Sequence, residues 1–139
     1  MLEVEVTGRE LAPGAPADEE LVALCALAAA SAGVESGHVA IAFVGEPDIA
    51  ELNARHRGRA APTDVLSFPV DEDAATAGPR ELGDVVICPA QTADVREAVV
   101  HGVLHLVGMD HEADRGEMLA LQAELLRWTA PPVARQPTP

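Results

Sequence analysis

The sequence predicts one small domain of the α/β or α+β class built on a single sheet. Three observations lead there. A length of 139 residues is a common size for one domain and leaves no room for two ordinary ones. A content of 48% apolar and 23% charged residues is that of a chain that folds around a core and is not disordered. Finally, short runs of strand character, bounded by turn residues, interleave with longer runs of helical periodicity.

Residues 2–6 alternate apolar side chains with Glu, the pattern of a half-buried strand. The turn-rich stretch 8–17 leads through Asp18, a candidate N-cap, into a helix that ends at Gly33 and buries Leu21, Leu24, Cys25 and Ala28. The uncharged run 21–34 within it spans 14 residues, short of the roughly 18 needed to cross a bilayer, so it is expected to be a buried helix. No basic, then apolar, leader opens the chain, and the expectation is a cytoplasmic protein without a membrane partner. Residues 39–44 read as a second strand, 48–56 as a short helix, 64–70 as a third strand and 82–88 as a fourth, with an acidic loop at 71–80. Residues 93–107 are apolar nearly all round, with their charges at the start, which predicts a central helix covered on every side. The last helix is expected over 113–128, with Met118, Leu121, Leu125 and Trp128 on its inner stripe. The domain is then 1–130, followed by a disordered tail, 131–139, that carries four prolines.

The 23 acidic residues outnumber nine basic ones, all Arg, for a net charge of −14 that on its own repels polyanions; DNA is not an expected partner. Cys25 and Cys88 are too few for a disulfide framework and lack metal-ligand spacing, so both are read as small buried apolar side chains in a reducing compartment.

Three of the five histidines, His101, His105 and His111, fall within eleven residues. Positions four apart on a helix differ by about 40° and about 6 Å along the axis, so His101 and His105 project side by side and can grip one cation. Gly108 can adopt the left-handed conformation that ends a helix, turning the chain back and bringing His111 to the same ion. Three neutral nitrogens with an open fourth position describe a catalytic zinc site better than a structural one. The bland alternative is a histidine pair satisfied by hydrogen bonds within a core helix. The spacing is that of the metzincin peptidases, but Gly102 stands where those enzymes carry their general-base Glu. A cation can itself acidify a water near neutral pH, which leaves hydrolysis with an unassigned base. Asp110 either orients a ligand His or caps the helix that follows. Arg55, Arg57 and Arg59 form the one local cluster suited to phosphate; a solvated turn is the alternative.

Leu52-Asn53, Arg57-Gly58 and the unbroken run from Pro62 through Thr63, Asp64, Val65, Leu66, Ser67 and Phe68 to Pro69 come first. Leu82-Gly83-Asp84-Val85-Val86 follows, then His101-Gly102, Leu104-His105-Leu106, Gly108 and Asp110-His111, with Met118 and Glu124 beyond. Together these resemble the YbeY family of bacterial endoribonucleases, or rRNA maturation factors, from about residue 48 to 126. The resemblance implies an α+β fold with a small mixed four-stranded sheet and a central helix that presents His101, His105 and His111 to one zinc ion. It also implies metal-dependent cleavage of single-stranded RNA, in maturing the 3′ end of small-subunit rRNA and in ribosome quality control, with ribosome or ribosomal-protein partners. On this pattern Arg57 matches the family's functional arginine. His56 and Met109 stand where the family usually has aromatic residues, and the stretch from Gly83 to His101 is shorter than in typical members by about one helix. A metal-dependent peptidase or amidase, and a binding factor with a structural metal, are the alternatives.

Overall fold

The computed structural model describes residues 2–70 and 80–129; the expected Pro-rich tail and all of the expected acidic loop but Arg80 lie outside the described residues. The elements are β1 (Leu2–Thr7), α1 (Asp18–Ala30), β2 (Gly37–Phe43), α2 (Glu46–Arg57), β3 (Val65–Pro69), β4 (Glu81–Ile87), α3 (Val95–Leu106) and α4 (Glu117–Thr129), with single 3-10 turns at Arg9–Leu11 and Pro89–Gln91. The fold is α+β. Its four strands lie in the order β1-β2-β4-β3, with β1–β2 and β2–β4 parallel and β3–β4 antiparallel, so the sheet is mixed and β3 is an edge.

Side chains alternate across a strand, and β4 uses both faces. Val85 and Ile87 enter the larger core with Val39, Ile41 and Phe43 of β2 and the inner faces of α1, α3 and α4. Val86 and Cys88 enter a smaller core with Leu66 of β3 and Ile49 of α2. Helix α3 packs against α1, α4, β3 and β4, which explains why its sequence is apolar nearly all round. Cys25 and Cys88 are free and fully buried, and burial pushes the Cys25 thiol up to about 12.

Several local expectations change. Asp18 is the first residue of α1 and its carboxylate pairs with Arg9; the N-cap position belongs to Ala17, which makes no side-chain cap. Helix α1 stops at Ala30, and Gly33 serves the turn beyond it at φ +82°. Between β4 and α3 there is only the turn at Pro89–Gln91, so the shorter stretch before His101 lacks a separate α-helix. The last helix begins at Glu117, later than its apolar spacing suggests, because residues 110–116 form turns held by carboxylates: Asp110 Oδ1 accepts from Glu112 N, while Asp114 accepts from Gly116 N and Met118 N. These bonds hold the Asp114 carboxyl below the usual range. The capping considered for Asp110 therefore belongs to Asp114. Trp128 shares the helical spacing but is 73% exposed, on the last turn of α4, where its indole N–H donates to Glu124.

Candidate metal centre and cleft

Helix α3 starts on an Asp94 carboxylate that accepts from Arg96 N and Glu97 N. Its end follows from Gly108, at φ +105°: Gly108 N donates to His105 O and Met109 N to Leu104 O, the paired bonds of a Schellman motif. That turn reverses the chain and returns His111 over the helix face that carries His101 and His105. The three rings lie with centroids 4.8 to 5.1 Å apart, and one nitrogen from each falls within 4.8 Å of the other two.

Hydrogen bonds settle which nitrogens face inward. His101 Nδ1 lies 2.8 Å from Gln122 Oε1, and His105 Nδ1 lies 2.9 Å from Met109 O. Both partner atoms are acceptors, so both Nδ1 atoms carry a proton, and in the neutral tautomer of each ring the lone pair then sits on Nε2. His111 turns its Nδ1 to His105 Nε2 at 3.2 Å. Ligand nitrogens around a tetrahedral zinc with bonds of about 2.05 Å are about 3.3 Å apart, so this pair already has the separation that one cation needs. A donor set of three imidazoles fits a divalent transition metal. Burial, reinforced by the neighbouring His101, keeps the His105 imidazole below its ordinary pKa and so in the neutral, ligating form.

A cleft of about 600 Å³ opens over the three rings. It is lined by the three His, by Asp110 and Glu112 from the turn, by His56 and Arg57 from the end of α2, and by the length of β3. Arg57 is the last residue of α2; Gly58, at φ +74°, ends the helix, and Asn53, 5% exposed, donates from Nδ2 to Ala61 O and ties down the loop that follows. The Arg57 guanidinium stands 3.8 Å from Glu112 in a loose, solvent-exposed pair. Of the three clustered arginines only Arg57 lines the cleft; Arg55 is bonded to Glu51 on its own helix. His56 stacks edge-on against Phe68, with centroids 4.7 Å apart, and both rings face the same cleft.

Among the described residues the β3 wall is a strand edge, and it is blunted against pairing with another chain: Asp64 Oδ1 takes the Val65 N–H, and Pro69 has none. Gly102, between the two helix His, faces the sheet. A Cβ there would meet Val85 Cγ1 at 2.5 Å and Ser67 Oγ at 3.3 Å, and Ser67 Oγ donates to Gly102 O. The position that carries Glu in metzincins is thus closed by the sheet in this chain.

Sequence reasoning missed Gln122. Its signal was a polar residue on the face of α4 that buries Met118 and Leu125, although nothing in the spacing says which ring it meets.

Fold and cleft together define a small α+β protein in which three imidazoles, clustered as a metal ion would need them, share a cleft with one arginine. A family model described as Endoribonuclease YbeY matches residues 17–129. Among similar curated proteins, an Endoribonuclease YbeY of Mycobacterium sp. (strain KMS) is 36% identical over 136 residues, covering 81% of this chain and 77% of that protein. The Endoribonuclease YbeY of Salinispora tropica is 46% identical over 103 residues, covering 56% and 65%. A Thermotoga maritima protein solved in solution superposes with a TM-score of 0.51 at 25% identity, over 96% of each chain. The chain belongs to the YbeY endoribonuclease family.

Proposed function

We propose that this chain is a zinc-dependent endoribonuclease that cuts single-stranded RNA in the cytoplasm, serving maturation of the small-subunit rRNA 3′ end and ribosome quality control. Residues 1–130 act as one hydrolase domain, with His101, His105 and His111 as metal ligands and Arg57 as the residue that meets substrate. One observation carries the reading: an exposed arginine and three inward-facing imidazole nitrogens share one cleft. A divalent cation bound there supplies a Lewis acid that acidifies water and polarises a phosphoryl oxygen.

The chain's own groups do the rest. Arg57 offers a planar fork of donors to a phosphodiester in the cleft and offsets charge that develops on it. Its pairing with Glu112 is long and wet, so a phosphate can replace it at little cost. The net charge of −14 does not exclude a polyanion, because a cleft that gathers a cation and a guanidinium focuses its own local field. His56 and Phe68 offer aromatic surface of the kind on which unstacked bases rest. The peptidase alternative lacks its base, and Gly102 shows why no Glu can stand there.

The test is cleavage of a labelled single-stranded RNA by purified protein. Turnover that stops with chelator, returns with zinc and falls about 10²–10³-fold in a fully metallated Arg57→Ala protein is expected. Equal rates for wild type and Arg57→Ala would remove Arg57 from the mechanism. Ribosome association without any turnover would favour the binding factor.

A further inference from the structure

We propose that Gln122 is a positioning residue for the metal site: its side-chain oxygen, delivered from α4, fixes the ring orientation and tautomer of His101. The inference rests on the three-His reading and deepens it. The three ligands are held by different devices. His105 is fixed by Met109 O, from the turn that ends its own helix. His111 comes from the turn itself and presents Nδ1 directly. His101 alone depends on another helix, through the 2.8 Å contact with Gln122 Oε1.

Gln122 is 8% exposed, on a helix face otherwise occupied by Met118 and Leu125. An amide there loses its hydration, a penalty that a hydrogen bond to the ring offsets. Because the oxygen only accepts, it selects the Nδ1–H form of His101 and leaves the Nε2 lone pair for the cation. It also links the metal site to the docking of α4 on α3. Arg96 secures the far end of that docking by donating to Thr129 Oγ1 and to Glu20 of α1.

The experiment titrates metal-stripped protein with cobalt(II), reading affinity and the visible absorption band, and follows folding separately by circular dichroism. Gln122→Leu keeps the volume and removes the acceptor; it should weaken cobalt binding about 10- to 100-fold and alter the band. Gln122→Glu keeps an oxygen and should stay within a few-fold of wild type. Leu125→Ala removes buried packing from the same face of the helix, one turn beyond Gln122, without touching the amide acceptor, and should lower stability while leaving cobalt affinity unchanged in the folded protein. Wild-type affinity in Gln122→Leu overturns the proposal. So does equal weakening in Gln122→Leu, Gln122→Glu and Leu125→Ala, which would reduce Gln122 to packing. A wild type that binds no cobalt, or a His105→Ala variant that binds it undiminished, would overturn the three-His reading itself and the proposal with it.

Discussion

Gly102→Ala sets two known effects against each other. In an isolated helix the change would stabilise by up to about 1 kcal/mol, since Ala gives up less backbone freedom than Gly. Here the new methyl lands 2.5 Å from Val85 Cγ1 and 3.0 Å from Cγ2, on a fully buried strand residue with no room to retreat. Overpacking of this kind typically costs about 1–3 kcal/mol, and the displaced helix also loses the Ser67 hydroxyl bond to Gly102 O, worth about 1 kcal/mol. The net expectation is a loss of about 1–3 kcal/mol, or roughly 3–10 °C in Tm for a domain of this size. Val85→Ala alone should cost about 2 kcal/mol through lost burial and a cavity. It also removes both clashing methyls, so the double variant should be more stable than the summed losses by about 1 kcal/mol or more. Chemical denaturation of the four proteins, with metal removed throughout, measures the cycle. A Gly102→Ala protein as stable as wild type, or strictly additive losses, would refute the claim that the sheet closes this position, and with it the structural case against a general-base Glu there.

The other expectations concern pH and the arginine cleft. The Glu81 carboxylate, aided by Glu5, holds the His38 pKa above its ordinary value despite partial desolvation. The stabilising contribution is therefore fully present below the unfolded pKa of about 6.5 and is lost as pH rises through the higher folded value. His38→Gln should lower stability by about 0.2–1 kcal/mol at pH 5.5 and by less at pH 9, measured by urea melts; an equal loss at both would contradict the pairing. His105 titrates below an ordinary imidazole, and protons compete with a cation for the same nitrogen, so metal affinity should fall with decreasing pH and be near its plateau at neutrality; a flat profile would point to other ligands. Asn53→Ala should cost about 0.5–1.5 kcal/mol by removing the hydrogen bond to Ala61 O, and should lower RNA turnover by loosening the loop behind Arg57. Arg59→Ala, away from the cleft lining, should mainly weaken RNA binding and reduce its salt dependence.

Much of the site was legible because its devices are local. The i, i+4 placement of His101 and His105 and the glycine that reverses the chain toward His111 need only helix geometry, and the Schellman bonds at Gly108 are the form that expectation takes. The covered helix at 95–106 was legible from its all-round apolar character for the same reason. What escaped depends on partners distant in sequence or on competition among local groups. Three neighbouring carboxylates, Asp110, Glu112 and Asp114, stood where a helix start was expected, and only the folded turn shows that Asp114 holds it. Trp128 follows the apolar period, but α4 outruns the core at its last turn. The separation of Arg57 from Arg55, and the meeting of Gln122 with His101, arise from helices packing across the fold, which no spacing along the chain encodes.

The central claim is a single metal held by three histidines from one helix and the turn that ends it. Metal content per folded chain, measured on wild type and on His101→Ala, His105→Ala and His111→Ala after equilibration with zinc at neutral pH and removal of free ion, tests it most directly. The account predicts one ion per wild-type chain and substantial loss in each variant. Stoichiometric zinc retained with unchanged affinity in all three would contradict it.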